Sequence, residues 1–327
     1  MDDTTLTRST PLFLIALLIC WLLMTSTDGR GDPWPVVGAA AVAAVAFVLG
    51  QLVPGPVRPW VAVAIGAVAM GAVLLGDGPL DFVTSGPLGY ANANAALAAQ
   101  ATAAFGVAAT GGLRSLRLVA LAGAAAGLVT CALIGAVAAA AGAVLVLVAL
   151  GATSMRSDRA QQASIALSLA VVVGASALSF VVGALGASPD VARLVSERRV
   201  SLWTDGVTAL REDPVVGAGA RGFPSVSPTA AGDPDTREAH AELLQRSAEN
   251  GLIGVGLEGA AVASVFVGLA RRRDAVATVG VAGMAALWAN AGVDWVLAFP
   301  SVLGTGCLVV GLAAPQGAVR RARRRPG

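Results

Sequence analysis

A single polar stretch, residues 187–254, holds most of the side chains in this sequence whose types could support chemistry. It contains His240, the only histidine of the chain, and it ends in Gly251-Leu252-Ile253-Gly254. It also contains seven of the 22 basic residues, namely Arg193, Arg198, Arg199, Arg211, Arg221, Arg237 and Arg246. An imidazole can accept or donate a proton near neutral pH, and arginine binds phosphate oxygens through a planar fork of N–H donors. If the protein is an enzyme, we expect its reaction centre here.

Carboxylates form a second group of candidates. Asp233-Pro234-Asp235 has the Asp-x-Asp spacing of metal sites in many nucleotide-sugar transferases, but Asp235 also stands three residues before Glu238, the spacing of a helix capping box. Asp28 and Asp32 could serve a metal-using membrane transferase of another kind, although the Gly and Pro residues around them favour a solvated loop. The sequence has no clustered set of His, Cys and acidic ligands, so we expect neither a metal ion nor a cofactor.

The remainder of the chain has the composition of a membrane protein. Hydrophobic residues make up 56% of the sequence and charged residues 13%, with a mean hydropathy of +0.76, whereas soluble domains carry about 25% charged residues. Every basic residue is an arginine, and no grouping of them resembles a nucleic-acid patch, so we expect no nucleic-acid partner. Lipid is the expected surrounding.

Apolar segments recur at close to the length of roughly 20 residues that a membrane helix needs. We place ten of them, at about 10–25, 35–53, 59–76, 91–112, 116–134, 136–152, 162–186, 251–270, 275–294 and 299–315. Dividing the continuous block 116–152 into two spans requires a turn, for which Gly135 is the candidate. The sequence therefore predicts an all-α, polytopic bundle of about ten transmembrane helices, a single integral membrane domain over residues 1–327.

Arginine placement orients this bundle. With the N-terminus inside, the inside connections and the C-terminal tail contain Arg58, Arg114, Arg117, Arg156, Arg159, Arg271, Arg272, Arg273, Arg320, Arg321, Arg323, Arg324 and Arg325. Of the short outside connections, only one contains an arginine, Arg30. This is the positive-inside distribution, and it predicts that both termini are cytoplasmic. Residues 187–250 then form a long extracytoplasmic loop inserted between the seventh and eighth spans.

Two short helices are predicted within that loop. Residues 201–211 have Leu202, Val207 and Leu210 along one face, which is typical of an amphipathic helix. A second helix is predicted from Asp235, as its N-cap, to about residue 250, with His240 on the same face as two later residues. Gly251 marks the junction between this helix and the eighth span.

Several short motifs resemble those of the O-antigen ligase and polymerase family of bacterial envelope glycosyltransferases. That family has a histidine followed, at a fixed spacing, by Gly-x-x-Gly, as His240 is followed by Gly251-Leu252-Ile253-Gly254 here, although Ala241 replaces the usual amide or hydroxyl neighbour. Further resemblances, in the same order along the chain, are Gly86-Pro87-Leu88-Gly89-Tyr90-Ala91-Asn92, Arg199-Val200-Ser201-Leu202-Trp203, Asp213-Pro214-Val215-Val216-Gly217-Ala218-Gly219, and Asp294-Trp295 with Pro300.

The resemblance implies a GT-C-like fold and a membrane enzyme that transfers a glycan from a polyprenyl diphosphate to an acceptor hydroxyl. The acceptor would be a glycan, lipid or protein at the outer face of the bacterial cytoplasmic membrane. His240 would act as the base toward the acceptor or donate to the leaving phosphate. The diphosphate would be bound by Arg199 and Arg221, with Arg198 and Arg211 as further candidates, unless these arginines are solvated or bind lipid headgroups.

Four other polar residues are candidates for glycan contacts or for structural roles. Tyr90 and Asn92 are placed at the outer mouth of the fourth span, where Asn92 could equally cap the helix. Glu258 and Asp294 fall inside predicted spans, where an acid usually faces a partner or a cavity and could also be a protonated structural group. These assignments leave the sugar, the acceptor and the choice between ligase and polymerase open.

Two other classes of protein fit part of this pattern. Ten spans are equally typical of a transporter, although the sequence shows no inverted repeat and no broken helices near the midplane. A non-catalytic relative that binds a lipid-linked glycan would carry the same motifs. Consumption of a polyprenyl-diphosphate glycan by the purified protein separates the enzyme from both.

Overall fold

The computed structural model describes residues 3–26, 31–75, 86–111, 114–233 and 236–314, with the side chains of 3–8 and 194 left out. Every regular element in these ranges is helical. The helices are α1 (Asp3–Thr25), α2 (Trp34–Leu52), α3 (Arg58–Leu74), α4 (Ala91–Ala109), α5 (Arg114–Ile134), α6 (Val137–Ser154), α7 (Asp158–Leu185), α8 (Pro189–Val195), α9 (Glu197–Glu212), α10 (Phe223–Val226), α11 (Pro228–Ala231), α12 (Glu242–Ala270), α13 (Ala275–Ala291), a 3₁₀ helix (Val296–Ala298) and α14 (Pro300–Ala313).

Within the described ranges, five helices are long and apolar enough to cross a membrane: α2, α5, α6, α7 and α12. Shorter apolar helices lie in α1, α3, α13 and α14. The all-helical prediction is therefore confirmed for the described residues, and the apolar helices indicate a membrane protein. The count of about ten spans stays a prediction, as does the GT-C-like arrangement.

Helix α4 lies at the centre of the bundle. It packs against α3, α5, α6, α13 and α14, and almost all of its residues are buried. Its alanine-rich surface lets neighbouring helices come close, as small residues do in membrane bundles. Where α4 carries a large side chain, its neighbours are glycines: the ring of Phe105 lies against Gly66 of α3 and Gly123 of α5. The core is thus built by matching small residues to large ones.

One end of the bundle collects the connections in which the sequence places arginines. The N-terminal end of α5 meets the C-terminal end of α6 through a hydrogen bond of 3.3 Å from Arg117 Nη2 to Ser154 Oγ. The first turn of α13 meets that of α7 where Thr278 Oγ1 donates to Gln161 Oε1 at 3.3 Å. Arg272, after α12, donates to the carbonyl of Ala313 at the end of α14 at 2.8 Å. We call this the basic end.

The segment 187–250 lies at the opposite end, between α7 and the membrane part of α12. It has a small core of its own, which includes Leu202 of α9, Phe223 of α10 and Ala248 of α12. It is fixed to the α1–α2 connection by two hydrogen bonds of Ala220, whose N–H donates to Ser26 Oγ at 3.1 Å and whose carbonyl accepts from Asp32 N at 2.8 Å. The segment is therefore a folded part of the bundle.

A break in α12 explains the glycines of two motifs, Gly251-Leu252-Ile253-Gly254 and the motif over residues 213–219. Gly251 has φ +64°, a left-handed conformation that favours glycine, and a Cβ there would collide with the carbonyl of Val215. The backbone groups that the break exposes are satisfied from residues 213–219: Leu252 N donates to Pro214 O at 2.8 Å, and Ala218 N and Gly219 N donate to the carbonyls of residues 248 and 249 at 3.0 and 2.7 Å. The two motifs thus form one structural unit.

The structure corrects several details predicted from the sequence. Helix α9 begins at Glu197, four residues earlier than predicted. The second loop helix does not contain His240, because residues 236–241 are irregular and α12 begins only at Glu242. Asp294 lies between α13 and the 3₁₀ helix and not inside a span. The turn predicted at Gly135 is confirmed, with φ +78° between α5 and α6.

Two of the acidic residues considered as metal ligands or helix caps have no described position. Asp28 and Asp235 lie outside the described residues, so neither the metal reading of Asp233-Pro234-Asp235 nor the capping role of Asp235 is tested.

Candidate active site

Four segments that are far apart in the sequence bring polar side chains together around Asp294. His240 Nδ1 lies 3.0 Å from Asp294 Oδ1, and Arg199 Nη2 lies 2.7 Å from Oδ2. From the start of α4, the Tyr90 hydroxyl donates to Oδ1 at 2.7 Å and the Asn92 amide donates to Oδ2. Asp294 is almost completely buried, with 4% of its surface exposed. We call these five residues the Asp294 cluster.

Every hydrogen-bond partner of this carboxylate among the described residues donates to it. In addition to the four side chains, the backbone N–H of Trp295 donates to Oδ1 at 2.8 Å. A carboxylate that accepts several bonds is stabilised in its ionised form, so His240 must present Nδ1–H to it. In a neutral imidazole the other ring nitrogen, Nε2, is then the unprotonated one. The cluster therefore defines a histidine whose Nε2 can accept a proton.

The electrostatics of the cluster support the same assignment. Burial acts to raise the pKa of Asp294, but the hydrogen bond from His240 and the charge of Arg199 outweigh it and hold that pKa below its usual value. Burial, followed by the neighbouring charge of Asp294, raises the pKa of the Tyr90 hydroxyl well above its ordinary value. Asp294 is thus the anion of the cluster, and Tyr90 is a neutral donor to it.

Local structure explains how Arg199 reaches this position. Ser196 caps α9, its Oγ accepting from Arg199 N at 3.3 Å. Arg199 and Trp203 are four residues apart and so share a face of the helix. Trp203 is fully buried, and its indole N–H donates to the carbonyl of His240 at 3.4 Å. One turn of α9 therefore positions both the arginine and the backbone that carries the histidine.

His240 is held in an unusual backbone conformation. Its φ is +52°, in the left-handed region where histidine is among the more tolerated residues. Its ring meets that of Tyr90 edge to face, with centroids 6.3 Å apart, and the Phe299 ring stacks on the Tyr90 ring at 5.9 Å. The aromatic contacts and the bond to Asp294 restrict the orientation of the imidazole, which is what a positioned base requires.

A groove of about 780 Å³ begins beside the cluster. Arg221, Arg237, Glu238 and Trp295 line its polar part, and the last three are close in sequence to His240 or Asp294. Both arginines are exposed. Burial raises the pKa of Glu238, while the charges of Arg221 and His240 act to lower it, which places Glu238 within electrostatic range of both. None of the five cluster residues lines the groove, but Trp295 is bonded directly to Asp294 and Glu238 lies two residues before His240, so the groove adjoins the cluster.

The rest of the groove is apolar. Its lining comes from five helices and includes Ile15 of α1, Val36 of α2, Val265 of α12, Leu287 of α13 and Leu303 of α14. Its polar lining contains three arginines, Arg221, Arg237 and Arg246, and four glutamates, Glu238, Glu242, Glu249 and Glu258. Because Arg246 is paired with Glu242 and Glu258, the arginines left to meet a ligand are Arg221 and Arg237. Two exposed arginines beside a long apolar wall suit an amphiphile that has an anionic head and a hydrocarbon chain.

A second buried charged cluster lies on the same groove. The guanidinium of Arg246 donates from Nε to Glu258 at 2.9 Å, from Nη2 to Glu242 at 2.7 Å and from Nη1 to Asn250 at 3.2 Å. We call these four residues the Arg246 network. Arg246 and Glu258 are 12 residues apart, which is about 18 Å along a straight helix. Their contact is possible only because α12 breaks at Gly251.

The structure brings together some of the residues singled out in the sequence and separates others. His240, Arg199, Tyr90, Asn92 and Asp294 form one cluster, and Arg221 lies on the adjoining groove. Glu258 belongs to the Arg246 network. Arg198 instead pairs with Asp233, and Arg211 is exposed near the other end of α9, about 18 Å from Arg199 along the helix axis.

Four contributing residues were not assigned a role from the sequence. Glu242 and Arg246 have the spacing of a helical ion pair, which could have indicated their contact. Arg237 was named only as one of the seven basic residues of 187–254. Phe299 carries no signal in the sequence, because its role depends on the 3₁₀ turn that folds it onto Tyr90.

No protein-family model matches this chain, and a search of curated proteins finds no match either.

Proposed function

We propose that this protein is a membrane glycosyltransferase of the O-antigen ligase or polymerase kind. It would transfer a glycan from a polyprenyl diphosphate to an acceptor hydroxyl at the outer face of a bacterial cytoplasmic membrane. The observation that carries the proposal is the convergence of His240, Arg199, Tyr90 and Asn92 on Asp294. These residues come from four separate motifs of the resemblance, and motifs that arose by compositional chance would have no reason to meet at one buried carboxylate.

In the proposed reaction, His240 Nε2 accepts the proton of the acceptor hydroxyl as that oxygen attacks the anomeric carbon of the donor. The bond between this carbon and the diphosphate oxygen breaks, and its electron pair leaves on the diphosphate. Asp294 keeps the imidazole oriented and stabilises the imidazolium that forms, as a buried carboxylate does beside a catalytic histidine.

The leaving diphosphate needs positive charge close to the site. Arg221 and Arg237, at the polar end of the groove, are exposed and suited to bidentate contacts with phosphate oxygens. Arg199 contacts Asp294 and Tyr90 through Nη2, so other N–H groups of its guanidinium remain to face a ligand. The apolar part of the groove offers a place for the polyprenyl chain. Arg199 and Arg221 are thus proposed as the diphosphate ligands, with Arg237 as an addition.

The direct test is turnover of a lipid-linked donor. The purified protein in nanodiscs would receive a polyprenyl-diphosphate oligosaccharide alone, since a second donor molecule or water can act as acceptor, and release of polyprenyl diphosphate would be measured. We expect release by the wild type and strongly reduced release by Asp294→Asn, in which an amide replaces the anion that fixes the imidazole. Arg193→Ala is the matched control, because Arg193 is an exposed arginine of the same segment that pairs with Asp190.

The outcomes separate the proposed enzyme from its rivals. Saturable donor binding without any release of polyprenyl diphosphate would indicate a non-catalytic binding protein. Movement of the intact donor across the bilayer without cleavage would indicate a transporter. Equal release by the wild type and Asp294→Asn would show that the cluster is not the reaction centre.

The proposed orientation has a separate test. Met155, at the basic end, and Thr208, on α9, are both exposed. In spheroplasts, a membrane-impermeant thiol reagent should label Thr208→Cys and leave Met155→Cys unlabelled, with the wild type as the background for its own three cysteines. The reverse pattern would place the cluster in the cytoplasm and exclude an extracytoplasmic reaction.

A further inference from the structure

The basic end of the bundle contains a cavity that the proposed reaction does not use. Its volume is about 390 Å³, and its wall includes Arg58 and Trp60 of α3, Thr110 and Gly111 after α4, Leu116 of α5 and Val276 of α13. The elements approach closely here because Gly111 packs directly on the ring of Pro59, where a Cβ would come within 2.9 Å of it. The cavity is thus a cleft lined by four helices and by two of their turns.

Arg58 has hydrogen-bond donors in this region that no described residue satisfies. Its Nε and Nη2 are buried, and within the described ranges neither has an acceptor. Asp274 is near enough to act on Arg58 electrostatically, but its oxygens are engaged elsewhere. Arg272 binds Asp274 Oδ2 through Nε at 2.8 Å and Nη2 at 2.7 Å, and Ala277 N binds Oδ1 at 2.8 Å. Arg58 as a whole is half-buried, but buried N–H donors without acceptors are destabilising unless a ligand supplies the acceptors.

The geometry of these donors specifies the chemistry of the ligand. Nε and Nη2 form one edge of the guanidinium, and that edge presents two parallel N–H groups to a pair of oxygens on one atom. Arg58 and Arg272 face only one described acid, Asp274, so the site retains an excess positive charge. We propose that the cavity binds a phosphate group through the Nε–Nη2 edge of Arg58.

The position of the cavity agrees with this ligand. Trp60 is 55% exposed and lies two residues from Arg58, at the end of an apolar helix where aromatic residues mark the membrane interface. Lipid phosphates lie at that level of the bilayer. Val107, Leu116 and Val276 add an apolar wall against which the glycerol and acyl part of a phospholipid can pack. A headgroup phosphate and a free phosphate share the chemistry that Arg58 recognises.

The test compares the wild type with Arg58→Gln, Arg58→Lys and Arg114→Gln. Arg58→Lys keeps the charge but removes the two-donor edge, and Arg114 is an exposed arginine of the same end that does not line the cavity. Binding of phosphatidylglycerol to delipidated protein would be counted by native mass spectrometry, with a phosphate-free glycolipid of the same acyl chains as the reference. Thermal stability in inorganic phosphate would be measured in parallel.

We expect the wild type and Arg114→Gln to bind one phosphatidylglycerol about tenfold or more tightly than either Arg58 variant, since charge-assisted hydrogen bonds are lost. Stabilisation of the wild type, but not of Arg58→Lys, by inorganic phosphate would identify free phosphate as the source. Stabilisation by phosphatidylglycerol alone would identify a lipid headgroup. The proposal is wrong if all four proteins bind both probes alike. It is also wrong if Arg114→Gln loses as much phosphatidylglycerol affinity as Arg58→Lys does. If Arg58→Gln does not fold, Arg58→Lys alone provides the test.

Discussion

The Asp294 cluster and the Arg246 network are opposite solutions to the burial of charge. Asp294 is an anion whose neighbours are all donors, whereas Arg246 is a cation whose three nitrogens each meet an acceptor. Both lie at the end of the bundle that carries residues 187–250, and both are buried. Only the Asp294 cluster includes a group with an unused, titratable nitrogen, His240 Nε2.

This difference separates a site that can react from one that holds the structure. The Arg246 network joins the two halves of α12 across the break at Gly251, and Asn250 is fixed in turn by α1, since its carbonyl accepts from Trp21 Nε1 at 2.9 Å. His240 is attached directly to the first half of α12. The network therefore sets the angle at which the histidine is presented, while the Asp294 cluster sets its chemical state. Substitutions in the two should have different consequences.

The largest effect is expected from His240→Ala. General acid or base catalysis contributes about 10²–10⁴-fold, so the proposed glycan transfer should fall by that order while the amount of folded protein in the membrane is unchanged. His240→Gln can still form one hydrogen bond but cannot accept a proton at neutral pH. Release of polyprenyl diphosphate measures the loss, and fluorescence size-exclusion chromatography checks folding.

The glutamine variant sharpens the assignment. If His240→Gln retains most of the activity, the histidine positions a group and is not the base. If His240→Ala also retains most of the activity, the Asp294 cluster is a structural element like the Arg246 network, and the proposed difference between the two is wrong.

The second effect should appear in stability. Arg246→Gln leaves Glu242 and Glu258 buried without their cation, and breaking one partner out of a buried ion pair typically costs about 3–5 kcal/mol. We expect a large decrease in the thermal midpoint in detergent and a smaller one for Glu258→Gln, which keeps a hydrogen-bond acceptor for Arg246. A normal thermal midpoint for Arg246→Gln would show that the break in α12 does not depend on the network.

Sequence reasoning could predict the residues of the Asp294 cluster because each is part of a local motif. It could not predict their contacts, which depend on the packing of α4, α9 and α13 over separations of up to 204 residues. The helix predicted over His240 was wrong because the capping signal at Asp235 gave no indication of the left-handed turn at His240 and of the later start at Glu242. The lengths of the apolar runs did predict where helices lie within the described residues, since the length of an apolar run is a local property of the sequence.

The contact between Arg246 and Glu258 could not be predicted for a different reason. Glu258 was singled out as a buried acid, but its partner lies 12 residues away, a spacing that no regular helix brings into contact. Only the positive φ of Gly251 makes the pair possible, and a sequence cannot show that a glycine actually adopts that conformation.

A smaller effect is expected for Arg199→Lys. Lysine keeps the positive charge near Asp294 but has no planar fork, so a bidentate contact with the diphosphate would be lost. We expect transfer to fall about tenfold, as the loss of one charge-assisted hydrogen bond predicts, mainly through weaker donor binding. Arg193→Lys is the matched control. Unchanged donor affinity in Arg199→Lys would restrict Arg199 to its contact with Asp294.

The smallest effect is expected for Glu238→Gln, and it is sharpest in the pH dependence of stability, where Glu238 and Asp294 should differ in sign. Burial raises the pKa of Glu238 above its ordinary value of 4.5, so its ionised form is disfavoured in the folded state and stability is lost as the pH rises through the folded-state pKa. Glu238→Gln resembles the protonated acid and should raise the thermal midpoint slightly at pH 7, with a difference that disappears on acidification.

Asp294 has a lowered pKa, so its contribution to stability is complete above its unfolded-state pKa and is lost as the pH falls through the folded-state value. Asp294→Asn should therefore lower the midpoint at pH 7, by an amount that shrinks in acid. Thermal midpoints of both variants and the wild type between about pH 4 and 8 would measure this, and shifts of the same sign would contradict the electrostatic roles assigned to the two residues.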